Sequence, residues 1–577
     1  MSMSPISRVG HVARKGWLLV AVATLAAACG DSGLSESTST EPEVDVPATE
    51  RVDDGAVNDD DASDETSGDE VPSETSGDDV EVPAEASAIH LLMPLMPATW
   101  SMVDLSSNML AASLLVTEPV IAFQPDGTFA NLLAQDFQQL DPTTYLITLA
   151  DGITFSDGTP LTADDVKFSF EIHTAEDTTS NIARYWRDVT SIEVIAENQV
   201  QVTLGTPDPD FPYTLAKTGI VSRAYHELHG DQVGPPTVPQ LGTGPYTYEA
   251  FTPSVSVELV ANPGYWGEAP VFPEITMELA RDDASRLLAL QSGDYDGVYL
   301  PPLTQIDQIE AIGEYTMAQN SDVALYRIGL DVTKPPFDEI EVRDAIAHAI
   351  DRDAIVAGAF GGRASVANSL VPESSLDILG DPDAVASTYA EFAEDFTFDL
   401  DLARQSLAAS TVPDGFEIDV PVPASDATVS LIAQTIAQDL AEIGITLNVV
   451  AQDDATFGTT IYVERSHDGL TIDSWNAGSP EPGNLPFALL APGAIGNTAQ
   501  LDDPAALEAI AAYKAAEPGS SEQLGELIEA LTLAHDQRAY VPLAFPDVYA
   551  FVDDDLAIRE FNSFWWLTPI IQTLVPA

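Results

Sequence analysis

Between Val429 and Val449 the chain changes its hydrophobic period across a single glycine. Val429 to Ile443 places Ile432, Ile436, Leu440 and Ile443 on one helical face, and Gly444 supplies the left-handed residue that ends such a helix. Immediately afterwards Ile445, Leu447 and Val449 alternate with polar residues, as a strand does. This is an αβ step, and it sets the expected class as mixed α and β. Asp338 to Ile350 reads similarly, with Asp338 as cap and Glu341 completing a capping box. Val342, Ala345, Ile346, Ala349 and Ile350 form the buried stripe, and Asp351 caps a second short helix before Gly358.

Other stretches are antiparallel in character. Tyr145, Ile147 and Leu149 alternate, and Asp151-Gly152 and Asp157-Gly158 are turn signals around Ile153-Thr154-Phe155. Thr162 then opens a helix whose first turn carries Asp164 and Asp165. Val194, Val200, Val202 and Leu204 form a further hairpin around Glu197-Asn198. A chain of 577 residues allows three or four units of roughly 150 residues each.

Charge narrows the partners. The 93 Asp and Glu outnumber the 21 Lys and Arg, for a net charge of −72. Nucleic acid is excluded as a partner, because phosphate contacts need clustered Lys and Arg. Binding to an anionic membrane through basic patches is excluded on the same ground.

The N-terminus carries Arg8, Arg14 and Lys15, then an apolar run from Trp17 to Ala28. That run falls short of the about 20 residues of a bilayer span but suits an export signal. It ends Leu25-Ala26-Ala27-Ala28-Cys29-Gly30, which resembles the lipobox of bacterial lipoproteins. The resemblance implies a signal peptide over 1–28, removed before Cys29, with acyl chains on that cysteine as a membrane anchor. Cys29 is the only cysteine, so neither an intrachain disulfide nor a Cys-rich zinc site can form. Residues 29–87 read as a disordered acidic tether, rich in Ser, Thr, Pro, Asp and Glu and without aromatics.

Catalytic signatures are missing from the sequence: there is no Gly-x-Ser-x-Gly elbow, His-Glu-x-x-His helix or phosphate loop. His226 and His229 are the one close histidine pair, and no third ligand accompanies them. The expectation is a non-enzyme with no metal, no cofactor and no catalytic residue. A secreted carboxylate-dependent hydrolase is the alternative from another class.

Six phrases in order resemble the extracytoplasmic solute-binding proteins of the peptide/nickel family (family 5), partners of ABC importers. They are Thr117-Glu118-Pro119 through Pro125-Asp126-Gly127, Asp151 through Val166, and Gly242-Thr243-Gly244-Pro245-Tyr246. Asn262-Pro263-Gly264-Tyr265-Trp266, Ala289 through Gly293, and Pro335 through Arg352 follow. Most of these residues read as scaffold, and Arg343 and Arg352 are expected to pair with carboxylates. The resemblance implies a two-lobed α/β fold of the periplasmic-binding-protein type (type II, cluster C), with an extra subdomain inserted in lobe I. Lobe I is expected over 88–116, 223–335 and 546–577, the insert over 117–222 and lobe II over 336–545. A peptide or similar small organic solute binds between the lobes, and a permease and ATPase complex receives it. The protein is then a monomer, anchored by lipid on the extracytoplasmic face of the bacterial cell membrane. A sensory or adhesive receptor on the same scaffold is a further alternative.

In this family a ligand-facing segment of lobe II carries a tryptophan and, in peptide binders, an aspartate three residues later that pairs with the peptide amine. The matching segment here runs from Asp473 to Pro482, so Trp475 is present but Gly478 replaces the aspartate. Asp473 and Glu481 are the nearest substitutes, at different spacings. Trp475 is expected to wall the ligand and Asn476 to offer its amide, with core packing as the alternative role for Trp475. Asp104 and Glu118 are secondary cleft candidates, because the early segment often lines the site in this family. Phe561, Phe564, Trp565 and Trp566 are expected to pack the returning C-terminus.

Overall fold

A computed structural model describes residues 88–103, 110–124, 126–280, 282–321, 323–568 and 573–577. The signal, Cys29, the tether and Asp104 lie outside the described residues. The αβ step is present: helix Ala427–Ala441 buries Val429, Ile432, Ala433, Ile436 and Leu440. It connects strands Glu417–Pro423 and Thr446–Gln452, which pair in parallel. Gly444 adopts φ +89, and a Cβ on the neighbouring Gly415 would lie 1.9 Å from its carbonyl oxygen. Only two glycines allow the ends of this unit to meet so closely.

Caps follow the expected chemistry with one exception. Thr162 and Asp165 form a reciprocal capping box at helix Ala163–Thr174, and Asp351 caps helix Arg352–Ala359 through the Ala354 amide. Helix Ile340–Ala349, however, starts at Glu339 and has no side-chain cap, so Asp338 does not play that part. The Glu339 carboxylate instead accepts from the Thr411 amide and hydroxyl, a tertiary contact that local spacing cannot reveal.

A sheet of ten strands organises the chain. Its path runs through Leu470–Asn476, Ala324–Leu330, Tyr540–Asp553, Gly297–Tyr299, Ile89–Met93, Glu274–Leu279, Ser256–Ala261 and Tyr246–Thr252. Strand Tyr540–Asp553 is shared by two halves of this sheet. Its first part pairs with Ala324–Leu330 and Ala364–Val366. Its second part pairs with Tyr315–Ser321 and Gly297–Tyr299. Each half is covered on both faces, as strand alternation requires. Val541 and Leu543 enter one core, with Ile346 and Ile432, while Tyr540 and Phe545 enter another, with Leu489 and Leu527. Further along, Ala550 and Val552 join the core of Leu91 and Met277, whereas Tyr549 and Phe551 join Leu92 and Leu290. Two double-sided cores thus meet where strands Tyr315–Ser321 and Ala324–Leu330 follow one another and where Tyr540–Asp553 passes between them.

An antiparallel four-stranded sheet, Ala134–Asp141, Thr144–Leu149, Gln199–Leu204 and Val189–Ala196, extends the first core. It includes the hairpin expected at Val194 and Val200, which face each other in register.

Candidate functional site

Three of the sequence phrases converge on Glu118, which is 3% exposed. Its carboxylate accepts from the Tyr265 hydroxyl at 2.6 Å, the Thr243 hydroxyl at 2.9 Å and the Trp266 indole N–H at 3.0 Å. Burial pushes the Glu118 carboxyl above its ordinary value, and the bonds from Tyr265, Trp266 and Thr243 pull the other way. The surrounding backbone is equally tight. A Cβ on Gly242 would lie 2.0 Å from the Val116 carbonyl oxygen, and one on Gly244 would lie 2.3 Å from that of Leu115. Glu118 therefore ties together chain segments more than a hundred residues apart.

Asp473 lies on strand Leu470–Asn476 directly opposite Arg327 on strand Ala324–Leu330. The two form an ion pair at 2.9 Å, with side chains 1% and 0% exposed. Tyr462 donates to the second Asp473 oxygen at 3.1 Å, and the Arg327 guanidinium also reaches the Gly496 carbonyl at 2.8 Å. The carboxylate is fully engaged by protein groups. Two residues on, Trp475 is half-buried, with its ring edge-on to Tyr462 at 5.9 Å, and Asn476 is exposed. Arg343 and Arg352 depart from expectation. They donate to backbone carbonyls, those of Phe337 and Gln537 and of Ala367 and Phe396, rather than to carboxylates. A buried guanidinium has donors enough to satisfy several loop carbonyls at once.

Beyond Trp475 the chain meets the residues that follow the four-stranded sheet. Lys217, the C-cap of helix Phe211–Ala216, is 0% exposed. Its ammonium donates to the Gly478 carbonyl at 2.9 Å and lies 3.9 Å from the centre of the Tyr185 ring. Asp210 accepts from the Ser479 hydroxyl and, at 2.9 Å, from the Asn484 amide. Asp208 pairs with Lys514 at 3.1 Å. Asp208, Asp210 and Lys217 accompany the first core, whereas Gly478, Ser479, Asn484 and Lys514 accompany the second; together they bridge one to the other. Burial raises the Asp210 carboxyl, while nearby Lys217 opposes that rise. Glu481 is pushed up to about 8 by burial and by facing Asp210, against a hydrogen bond from Tyr513.

Gly478 has a steric reason. A Cβ there would sit 2.4 Å from the Tyr185 hydroxyl oxygen, so any other side chain needs Tyr185 to move. Beside these bridges lies a cavity of about 170 Å³, walled by Tyr213, Ser563 and Phe564 from one side and Pro372, Ser375 and Pro480 from the other. A crevice of about 10 Å³ adjoins it, reaching Ser479, Glu481 and Leu485.

Of the expected residues, Gly478 stands among the bridging contacts. Asp473, Trp475, Asn476 and Glu118 do not line the cavity. Lys217, Asp210 and Phe564 escaped the sequence reading as site residues. A usable signal existed for one of them: Lys217 is one of five lysines in a chain with 93 acidic residues. His226 is held against the Gln240 amide and the Phe168 ring, and among the described residues no group of three or more His, Cys, Asp or Glu is placed to hold a metal ion.

Residues 128–497 match the family described as bacterial extracellular solute-binding proteins, family 5 Middle. The glutathione-binding protein GsiB of Escherichia coli (strain K12) is 29% identical over 325 residues, covering 55% of this chain and 60% of that protein. The match thus spans less than two thirds of the length of the curated relatives. Among solved structures, HbpA2 from Haemophilus parasuis superposes with a TM-score of 0.71 at 22% identity, covering 85% of this chain and all (100%) of that one. The oligopeptide-binding protein AppA from Bacillus subtilis, in complex with a nonapeptide, gives 0.66 at 17% identity, with coverage of 85% and 99%. Both share the mixed α/β architecture of periplasmic binding proteins, the class expected from the sequence.

Proposed function

Since the chain belongs to the bacterial extracellular solute-binding proteins of family 5, we propose that it is a receptor for a peptide or similar small organic solute. It takes that solute between two lobes and delivers it to the permease and ATPase of an ABC importer. Lobe I comprises 88–116, 223–321 and 547–577 with 117–222 inserted, and lobe II comprises 324–546. Setting the boundary before Ala324 in this reading is supported by the burial of Leu325, Ile328 and Leu330 in the cores that also hold Ile346 and Leu489. The crossings at 321–324 and 545–547 serve as hinges. The solute drives closure by the contacts it gains with the second lobe.

The observation that carries this reading is the cavity walled from both lobes and flanked by Lys217–Gly478 and Asp210–Ser479. The nonapeptide in AppA and the glutathione named for GsiB support a peptidic solute. Lys217 and Tyr185 occupy the corner around Gly478, so a free peptide amine is not bound there. The receptor alters no covalent bond and acts as a monomer outside the cytoplasm, held by acyl chains on Cys29. Among the described residues no helix is long and apolar enough to cross a membrane.

Native mass spectrometry of the protein purified from its own membranes tests the reading. One organic solute per chain, released chemically unchanged on denaturation, is expected. A solute converted to product on incubation would overturn it.

A further inference from the structure

The contact that bridges the two cores holds more carboxyl groups than cations. Asp208, Asp210 and Lys217 enter it from the inserted subdomain, and Glu481 and Lys514 from the other side. Asp208 is paired with Lys514 at 3.1 Å. Asp210 is opposed by Lys217 and accepts from Ser479 and Asn484. Glu481, 5% exposed, is left without an ion pair among the described residues, and its carboxyl accepts instead from the Tyr513 hydroxyl. Ser479 and Asn484 bracket Glu481 along the loop, so the loop that grips Asp210 also brings Glu481 up to it. Asp208 adds to the same negative side, and Tyr213 faces both Glu481 and Asp210. Two further charges flank the contact and neutralise nothing in it. Arg184 is exposed and donates to the Tyr185 hydroxyl at 2.6 Å, and Glu373 is exposed beside Pro372 at the crevice that Glu481 lines.

A second negative charge buried against Asp210 with no cation of its own is strongly unfavourable, so the contact forms with the Glu481 carboxyl neutral. The push of that carboxyl up to about 8 by burial and by Asp210 agrees with this count of charges. Parting the lobes takes Asp208, Asp210 and Tyr213 away from Glu481 and admits water, and the carboxyl returns toward its ordinary value of about 4.3. Resting on the receptor reading, we propose that closing the lobes takes up one proton onto Glu481, so that capture of the solute is coupled to pH. The sign follows from linkage: the proton's contribution to closure is fully present below about 4.3 and is lost as pH rises to about 8. Ser479, Asn484 and Lys217 hold the contact together, and Glu481 makes it conditional.

Pulsed electron double resonance between spin labels at the exposed positions Ile195 and Val450 tests the coupling, with Ile195→Cys and Val450→Cys in a Cys29→Ser background. The full chain is measured from about pH 5 to pH 9, once as purified and once after denaturation and refolding to remove whatever solute it carries. The proton is the probe, and the two preparations start from opposite ends, mostly closed and mostly open. In at least one of them the ratio of closed to open molecules is expected to fall as pH rises, by up to about 10-fold per pH unit. Glu481→Gln keeps a neutral side chain at every pH and should leave that ratio level. A wild-type ratio that stays level or rises with pH in both preparations would overturn the coupling, whatever the variant does. An equal fall in Glu481→Gln would overturn it too. One unaltered solute per chain in native mass spectrometry, alongside a level ratio, would remove the coupling and leave the receptor reading standing. A fall that needs Glu481 in a chain that carries no solute would do the reverse.

Discussion

Lys217 holds Gly478 across the cleft: its ammonium donates to the Gly478 carbonyl at 2.9 Å while stacked 3.9 Å above the Tyr185 ring. The glycine is required because a Cβ would press on the Tyr185 hydroxyl at 2.4 Å. On the proposed two-lobed reading these contacts tie one lobe to the other, at the position where the family resemblance implies an aspartate in peptide binders.

Gly478→Ala should hinder closure without unfolding either lobe. Overpacking of this kind costs about 1–3 kcal/mol, so solute affinity should fall roughly 10- to 100-fold with little change in melting temperature. Adding Tyr185→Phe removes the closest atom and should restore part of the loss. Titration calorimetry on the single and double variants reads both effects.

Glu118 is a structural knot. Glu118→Ala leaves the Tyr265, Thr243 and Trp266 donors unsatisfied in a buried place, and such losses run to about 3–5 kcal/mol in total. Urea denaturation should show that loss in lobe I, and the fraction still folded should bind solute with near-normal affinity.

Asp473 separates a structural from a ligand role in the same way. Asp473→Asn strands the Arg327 charge in a buried site, which costs about 3–5 kcal/mol. A stability loss with unchanged affinity per folded molecule is expected. A large affinity loss at constant stability would assign Asp473 to the ligand instead.

Stability should depend on pH through Glu481. The folded protein keeps its proton up to about pH 8, whereas the unfolded chain releases it above about 4.3. The folded state therefore binds more protons in that window, and its stability falls as pH rises, by at most about 1.4 kcal/mol per unit. Glu481→Gln keeps a neutral side chain and should flatten this slope. His173, His467 and His535, each lowered to about 4 mainly by burial, act oppositely. Their contribution is present above about 6.5 and is lost as pH falls toward 4. Denaturant midpoints measured from pH 4 to 8 for the wild type and Glu481→Gln check both signs.

Local pattern carried much of this architecture. The helix ending before Gly444, the helix opened by Thr162 and the cap at Asp351 were each legible because their partners lie within a few residues, whereas the capping box expected at Asp338 and Glu341 does not form. Where a side chain had a distant alternative, spacing failed. Glu339 rather than Asp338 precedes its helix and turns to Thr411, and Arg343 and Arg352 serve carbonyls of remote loops. Glu118 was conspicuous as part of a family phrase, but its three donors come from residues 125 to 148 positions away, a convergence only folding creates. Lys217 and Asp210 carried no motif at all. Phe564 read as packing, which it does in the first core, yet it also walls the cavity.

Closure about the two crossing strands is the claim on which the account rests. Spin labels at the exposed positions Ile195 and Val450, introduced as Ile195→Cys and Val450→Cys in a Cys29→Ser background, report it by pulsed electron double resonance. The account predicts a broad, longer distance distribution without solute that narrows to a single shorter one when the co-purifying solute is added back. One unchanging distance with and without that solute would contradict it.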